Sequence, residues 1–231
     1  MTPLLEAEGL HTYYGESHVL HGVSISVGAS EVMALTGRNG MGKTTTIRSL
    51  LGLTPPRSGT VLVRGKAVTG LPAHLIARQG IALVPEGRGI FPTLTVRENL
   101  LVAAQPGRWT FEAAVALFPR LGERLTNLGF QLSGGEQQML AIARALMTNP
   151  QLIILDGATE GLSPLVRQQI WDVVRKLREE GMALLIVDKE IRTLLTVADR
   201  TMILVKGQVA FSGTPAEFRA NADYNLSLLH A

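Results

Sequence analysis

The run Gly37-Arg38-Asn39-Gly40-Met41-Gly42-Lys43-Thr44 constrains this chain more than any other eight residues in it. It follows the strand-like stretch Glu31-Val-Met-Ala-Leu-Thr36 and opens into helical periodicity over Thr44 to Leu53. Glycines at 37, 40 and 42 let backbone N–H groups converge on one point that side chains would otherwise block. The start of a helix favours an anion there, and Lys43 brings the matching charge. A strand, a glycine turn and a helix in this order fit a phosphate site at the edge of an α/β core.

The rest of the chain supports that core. Leu4–Glu8, His18–Val27 and Thr60–Arg64 alternate as strands should, so the opening is β-rich. Ile81-Ala-Leu-Val84, Leu152-Ile-Ile-Leu155 and Ala183-Leu-Leu-Ile-Val187 are apolar throughout, as in parallel strands buried on both faces. The last two are joined by a helix with Ser163 as N-cap, Pro164 in its first turn, an apolar face of Val166, Ile170, Val173, Val174 and Leu177, and Gly181 as its stop. A hairpin is predicted around Lys206-Gly207, with a short helix from Thr214-Pro215. Residues from about 88 to 148 hold no convincing strand and read as an inserted helical subdomain. The fold expected is α/β: a P-loop NTPase core with a mainly parallel sheet, an antiparallel β-edge subdomain and that insertion. It forms one domain, with core segments at about 1–87 and 149–231.

Composition removes alternatives. With no cysteine, disulfides and thiolate chemistry are excluded. A net charge of +3, scattered arginines and 5% aromatics give neither a basic stripe nor a stacking platform, so nucleic acid is not expected as a partner. No apolar run has bilayer-spanning length, and the N-terminus carries Glu6 and Glu8 where a signal peptide would be basic. The chain is expected in the cytoplasm, reaching a membrane only through partners.

Two further segments carry chemistry. Asp156 ends an apolar strand, where its carboxylate can hold magnesium beside the Thr44 hydroxyl. Leu132-Ser133-Gly134-Gly135-Glu136-Gln-Gln-Met139 is a second glycine turn opening an amphipathic helix, with Met139, Leu140, Ala143, Leu146 and Met147 inward. Ser133 with the N–H groups of Gly134 and Gly135 can grip a phosphate, although the same spacing also describes a plain capping box.

Together, the P-loop, the LSGGEQQ segment and the aspartate-ended strand resemble the ABC transporter ATPase family over nearly the whole chain. The resemblance implies ATP and Mg2+ as ligands, with each ATP held between the P-loop of one domain and the signature turn of another. The nucleotide residues it implies are Tyr14 on adenine, 37–45 including Thr45 on the phosphates, and Ser133 to Glu136 across the interface. Thr44, Glu86 and Asp156 are implied for the metal; Glu86 stands where the family usually has glutamine, and its carboxylate is also a catalytic candidate that could reach the nucleophilic water. Partners implied are a second ATPase subunit or a second copy, transmembrane permease subunits and a solute-binding protein, which places the chain on the inner face of the cell membrane. Val84-Pro-Glu86-Gly-Arg88-Gly-Ile-Phe91 and Glu160-Gly-Leu162-Ser-Pro164 are similar to the second ATPase subunit of branched-chain amino-acid importers. Importers of urea and short amides use similar segments.

The chain departs from this pattern where the chemistry should happen. After Asp156 the family normally has a glutamate that polarises the attacking water, and here Gly157 takes its place, followed by Ala158 for a usual proline. The switch-histidine position reads Lys189. Loss of a positioned base costs about 10²–10⁴ in rate, so poor hydrolysis is expected at this chain's own P-loop unless Glu160, three residues on, compensates. The alternative function is a nonhydrolytic subunit that completes its partner's site.

Overall fold

The computed structural model describes residues 2–229. It opens with the hairpin β1 (Leu5–Tyr14) and β2 (Ser17–Val27), then β3 (Val32–Thr36) and α1 (Lys43–Leu50). There follow β4 (Ser58–Val63), β5 (Lys66–Ala67), α2 (Ala73–Ala77) and β6 (Ile81–Val84). Between β6 and β7 the chain is helical: α3 (Val96–Leu101), α4 (Phe111–Leu117), α5 (Pro119–Gly122) and α6 (Gly134–Leu146). Then come β7 (Leu152–Asp156), α7 (Pro164–Glu179), β8 (Ala183–Val187), α8 (Ile191–Val197), β9 (Arg200–Val205), β10 (Gln208–Gly213), α9 (Pro215–Ala220) and α10 (Ala222–Leu228).

Two sheets result. One is antiparallel, in the order β2-β1-β4-β5; the other runs β10-β9-β3-β8-β7-β6 and is parallel except where β10 pairs with β9. The continuous apolar strands are explained by burial on both faces. Val32 and Ala34 of β3, Ile153 and Leu155 of β7, and Leu184 and Ile186 of β8 pack toward α3, α6 and α7. The alternate residues Met33, Leu35, Leu152, Ile154 and Leu185 pack toward α1 and the antiparallel sheet. Such strands read as unbroken hydrophobic runs because neither face meets water.

The structure differs from the sequence reading at several ends. The first helix stops at Leu50, not Leu53, because Gly52 takes a left-handed φ of 67° and turns the chain out. The first two strands are longer than the patterns suggested and meet in a tight turn at Gly15-Glu16. Ser163 occupies the N-cap position, but its side chain makes no capping bond. Lys206 and Gly207 both have positive φ, 48° and 74°, as the hairpin there requires.

Candidate functional site

The cavity that gathers the chemistry, about 480 Å³, lies over the end of β3, with β7 and β8 beside it. Gly37 has no room for a side chain: a Cβ there would stand 2.4 Å from the Leu204 carbonyl oxygen of β9. Gly42, at φ 100°, caps α1 and accepts the Thr46 amide at 2.8 Å. The turn therefore needs glycine for close backbone approach and for handedness, and it presents its N–H groups at a helix start.

Lys43 Nζ folds back over the loop and donates to the carbonyls of Gly37 and Arg38, each at 2.8 Å. Burial pulls its pKa down, and the negative charges of Glu160, Asp156 and Glu86 act in the opposite direction. Thr44 Oγ1 donates to Asp156 Oδ1 at 3.4 Å, so the hydroxyl and carboxylate sit together as the sequence suggested. Asp156 is only 5% exposed. Burial raises its pKa, and Glu86 and Glu160 raise it further against the Thr44 hydrogen bond and the Lys43 charge. A hydroxyl and a carboxylate in contact form a hard oxygen pair that suits Mg2+, which takes few protein ligands and completes its shell with phosphate and water.

Of the residues singled out from sequence, Tyr14, Asn39, Gly40, Gly42, Lys43, Thr44, Thr45, Glu86, Asp156, Gly157, Glu160 and Lys189 line this cavity. Gly37, Arg38 and Met41 belong to the loop but are not among its lining residues. Tyr14 is 46% exposed, whereas the neighbouring Tyr13 is sandwiched between a stacked His18 ring at 4.1 Å and the Arg57 guanidinium. Of the two adjacent tyrosines, only the second presents a free face.

Ser133, Gly134, Gly135 and Glu136 are not part of the cavity. They start α6 as a full capping box: Ser133 Oγ accepts the Glu136 amide at 3.3 Å, and Glu136 Oε2 accepts the Ser133 amide at 2.8 Å. Gly134 faces the Arg88 guanidinium, 3.0 Å from where its Cβ would be. Gly135 is buried against Val166 of α7. The turn thus lies apart from the cavity, at the start of its own helix.

Sequence reasoning missed Asp188. It is buried, and its Oδ2 accepts both the amide and the hydroxyl of Thr159, at 2.9 and 2.7 Å, while Oδ1 accepts the Glu190 amide. Thr36 Oγ1 donates to its carbonyl at 3.1 Å. Asp188 thus ties together the loops after β3, β7 and β8. Its signal was available: an aspartate closing an apolar strand, as at Asp156.

A doubly covered parallel sheet with a glycine turn, lysine and threonine between β3 and α1 defines a P-loop ATPase. The family model for the ABC transporter matches residues 20–160, and the chain belongs to that family as the ATP-binding subunit of a transporter. It is 40% identical to the high-affinity branched-chain amino acid transport ATP-binding protein BraG of Pseudomonas aeruginosa, over 94% of this chain and 96% of that one. It is 35% identical to the lipopolysaccharide export system ATP-binding protein LptB of Haemophilus influenzae, over 93% and 92%. The crystal structure of the ADP conformation of MJ1267, an ATP-binding cassette of an ABC transporter, superposes with a TM-score of 0.84 at 26% identity, covering 100% of this chain and 98% of that one. Among the described residues no helix is long and apolar enough to cross a membrane.

Proposed function

We propose that this chain is the ATP-binding subunit of an importer for branched-chain amino acids. The observation that carries the solute class is the 40% identity to BraG across nearly both full lengths, against 35% for the lipopolysaccharide export protein. In this reading the chain binds nucleotide through its own cavity. Lys43 exchanges its two carbonyl partners for β- and γ-phosphate oxygens, which satisfy its charge better than neutral acceptors. The turn amides of 38–44 hold the phosphate chain, and Tyr14 offers its free face to the adenine, a stacking contact worth about 1–3 kcal/mol. Thr44 and Asp156 hold the magnesium, with Glu86 at the rim. Held there, Mg2+ would supply charge neutralisation to the phosphates.

The signature turn at Ser133–Gly135 serves the cavity of a facing ATPase subunit, whether a second copy or a different chain. Permease subunits and a solute-binding protein complete the transporter, which holds this chain at the inner face of the membrane. The reading as a nonhydrolytic subunit rests on Gly157, which offers no carboxylate at the position the family's base occupies.

The first test is calorimetric titration of the full chain with Mg·ATP. Lys43→Ala should weaken binding by about 10- to 100-fold, since charge-assisted bonds to phosphate contribute about 1.5–3 kcal/mol. Unchanged affinity would remove Lys43 from the site. For the solute, the complex copurified with this chain should raise its ATPase rate with leucine-loaded binding protein; indifference to leucine, isoleucine and valine would refute the importer assignment.

A further inference from the structure

We propose that Glu160 is the catalytic carboxylate of this chain, activating the water that attacks the γ-phosphate, and that Lys189 positions it; the inference rests on the nucleotide reading above. Hydrolysis needs one carboxylate free to take a proton from water at the open side of the phosphate site. Four acidic residues line the cavity: Glu86, Asp156, Glu160 and Asp188. Asp188 is buried, with both carboxylate oxygens accepting hydrogen bonds from Thr159 and Glu190. Asp156 is buried and engaged by Thr44, which commits it to the metal. Glu86 follows Pro85 at the end of β6, the outermost strand of the parallel sheet on that side.

Glu160 is different because the chain brings it back. Gly157 turns at φ 69°, its amide donating to the Val187 carbonyl at 3.0 Å, and the Glu160 amide donates to the Gly157 carbonyl at 3.3 Å. Thr159 is fixed by its two buried hydrogen bonds to Asp188. These bonds return the Glu160 side chain over its own strand end. A Cβ built on Gly157 would lie 3.7 Å from Glu160 Cγ and 3.8 Å from its Oε2. The Glu160 carboxylate therefore occupies the space toward which a side chain at 157 would project. A glutamate at 157 itself would stand in left-handed backbone and beside a like charge, so the loop is built for glycine there and carboxylate from 160.

Lys189 Nζ lies 4.0 Å from Glu160 Oε1, with the lysine largely exposed. A pair this open contributes little stability, yet it restrains the direction of the carboxylate. The same carboxylate exerts the strongest of the three acidic influences on the Lys43 ammonium, ahead of Asp156 and Glu86, which agrees with its closeness to the phosphate site.

The step balances without any further reagent. The water oxygen forms a bond to the γ-phosphorus as the bond from that phosphorus to the β,γ-bridging oxygen breaks. ADP leaves with the electron pair, and the water proton passes to Glu160, which releases it to solvent or to the phosphate formed.

The test uses the purified full chain with Mg·ATP, measuring affinity by calorimetry and turnover by phosphate release. Glu160→Gln should leave the dissociation constant within about 3-fold and lower turnover by about 10²-fold or more. Glu160→Asp should keep part of the rate. Formate should restore part of the turnover of Glu160→Ala and none of that of Lys43→Ala, which a purely structural role for Glu160 would not produce. The proposal is overturned if Glu160→Gln turns over ATP within about 3-fold of the unaltered chain, or if the unaltered chain binds Mg·ATP without hydrolysing it both alone and in the complex copurified with it. Absence of Mg·ATP binding by the unaltered chain would overturn the nucleotide reading, and calorimetry alone distinguishes that outcome.

Discussion

Asp156 combines burial, a nearby cation and two further carboxylates, and the sum leaves its pKa raised, with burial the largest cause. At pH below the usual carboxylate range it is protonated in both folded and unfolded chains, and the fold carries no charge penalty. As pH rises through the folded value, the native state must hold a buried anion, and that part of the stability is lost. Asp156→Asn should therefore stabilise the nucleotide-free chain at neutral pH by about 1 kcal/mol, or roughly 2–4 °C in Tm, with the margin shrinking toward pH 4. The same variant should lose the extra stabilisation that Mg2+ adds to ATP. A Tm below that of the parent at pH 7 would mean that the hydrogen bond from Thr44 outweighs the burial cost. At this scale the sequence was readable where spacing decides the role, as in 37–44 and at Asp156. It was less readable at Glu160 and Asp188, because their positions depend on a chain reversal at Gly157 that no periodicity announces.

Helices α6 and α7 meet where Gly135 faces Val166, and a Cβ at 135 would stand 2.8 and 2.9 Å from the two Val166 methyl carbons. Two effects compete in Gly135→Ala. Helix propensity favours alanine by about 1 kcal/mol, while overpacking a close contact costs about 1–3 kcal/mol. The clash should win, lowering Tm by a few degrees, and adding Val166→Ala should recover most of the loss. If the double variant melts no higher than Gly135→Ala, the strain lies elsewhere. This packing role was hidden in the sequence, where the second glycine of the turn looked like a phosphate donor alone. Helices α6 and α7 were plain, since each carries a sustained period and end signals, and β7 and β8 showed as unbroken apolar runs. The short helices α2 and α8, at 5 and 7 residues, were not, because one or two turns give the pattern too few repeats to declare itself.

Across the whole molecule, the cavity and the signature turn are separate. The cavity offers lysine, threonine and carboxylates; the turn offers a helix start with Ser133 exposed at its edge. Both patterns were visible in the sequence, but their separation within one chain depends on how the helical segment sits on the sheet. If two copies of this chain complete each other, complementation must follow. Lys43→Ala should disable the cavity and spare the turn, and Ser133→Arg should obstruct the turn and spare the cavity. Each variant alone should be inactive in ATP hydrolysis. In an equal mixture half the dimers combine the two variants, and each of those holds one intact site out of two. Turnover should then recover to about a quarter of the unaltered rate if the sites act independently. Recovery with that dependence on mixing ratio would establish head-to-tail pairing of identical chains. No recovery, with both variants folded and Ser133→Arg still binding Mg·ATP, would exclude self-complementation and leave a different ATPase subunit as the source of the missing half.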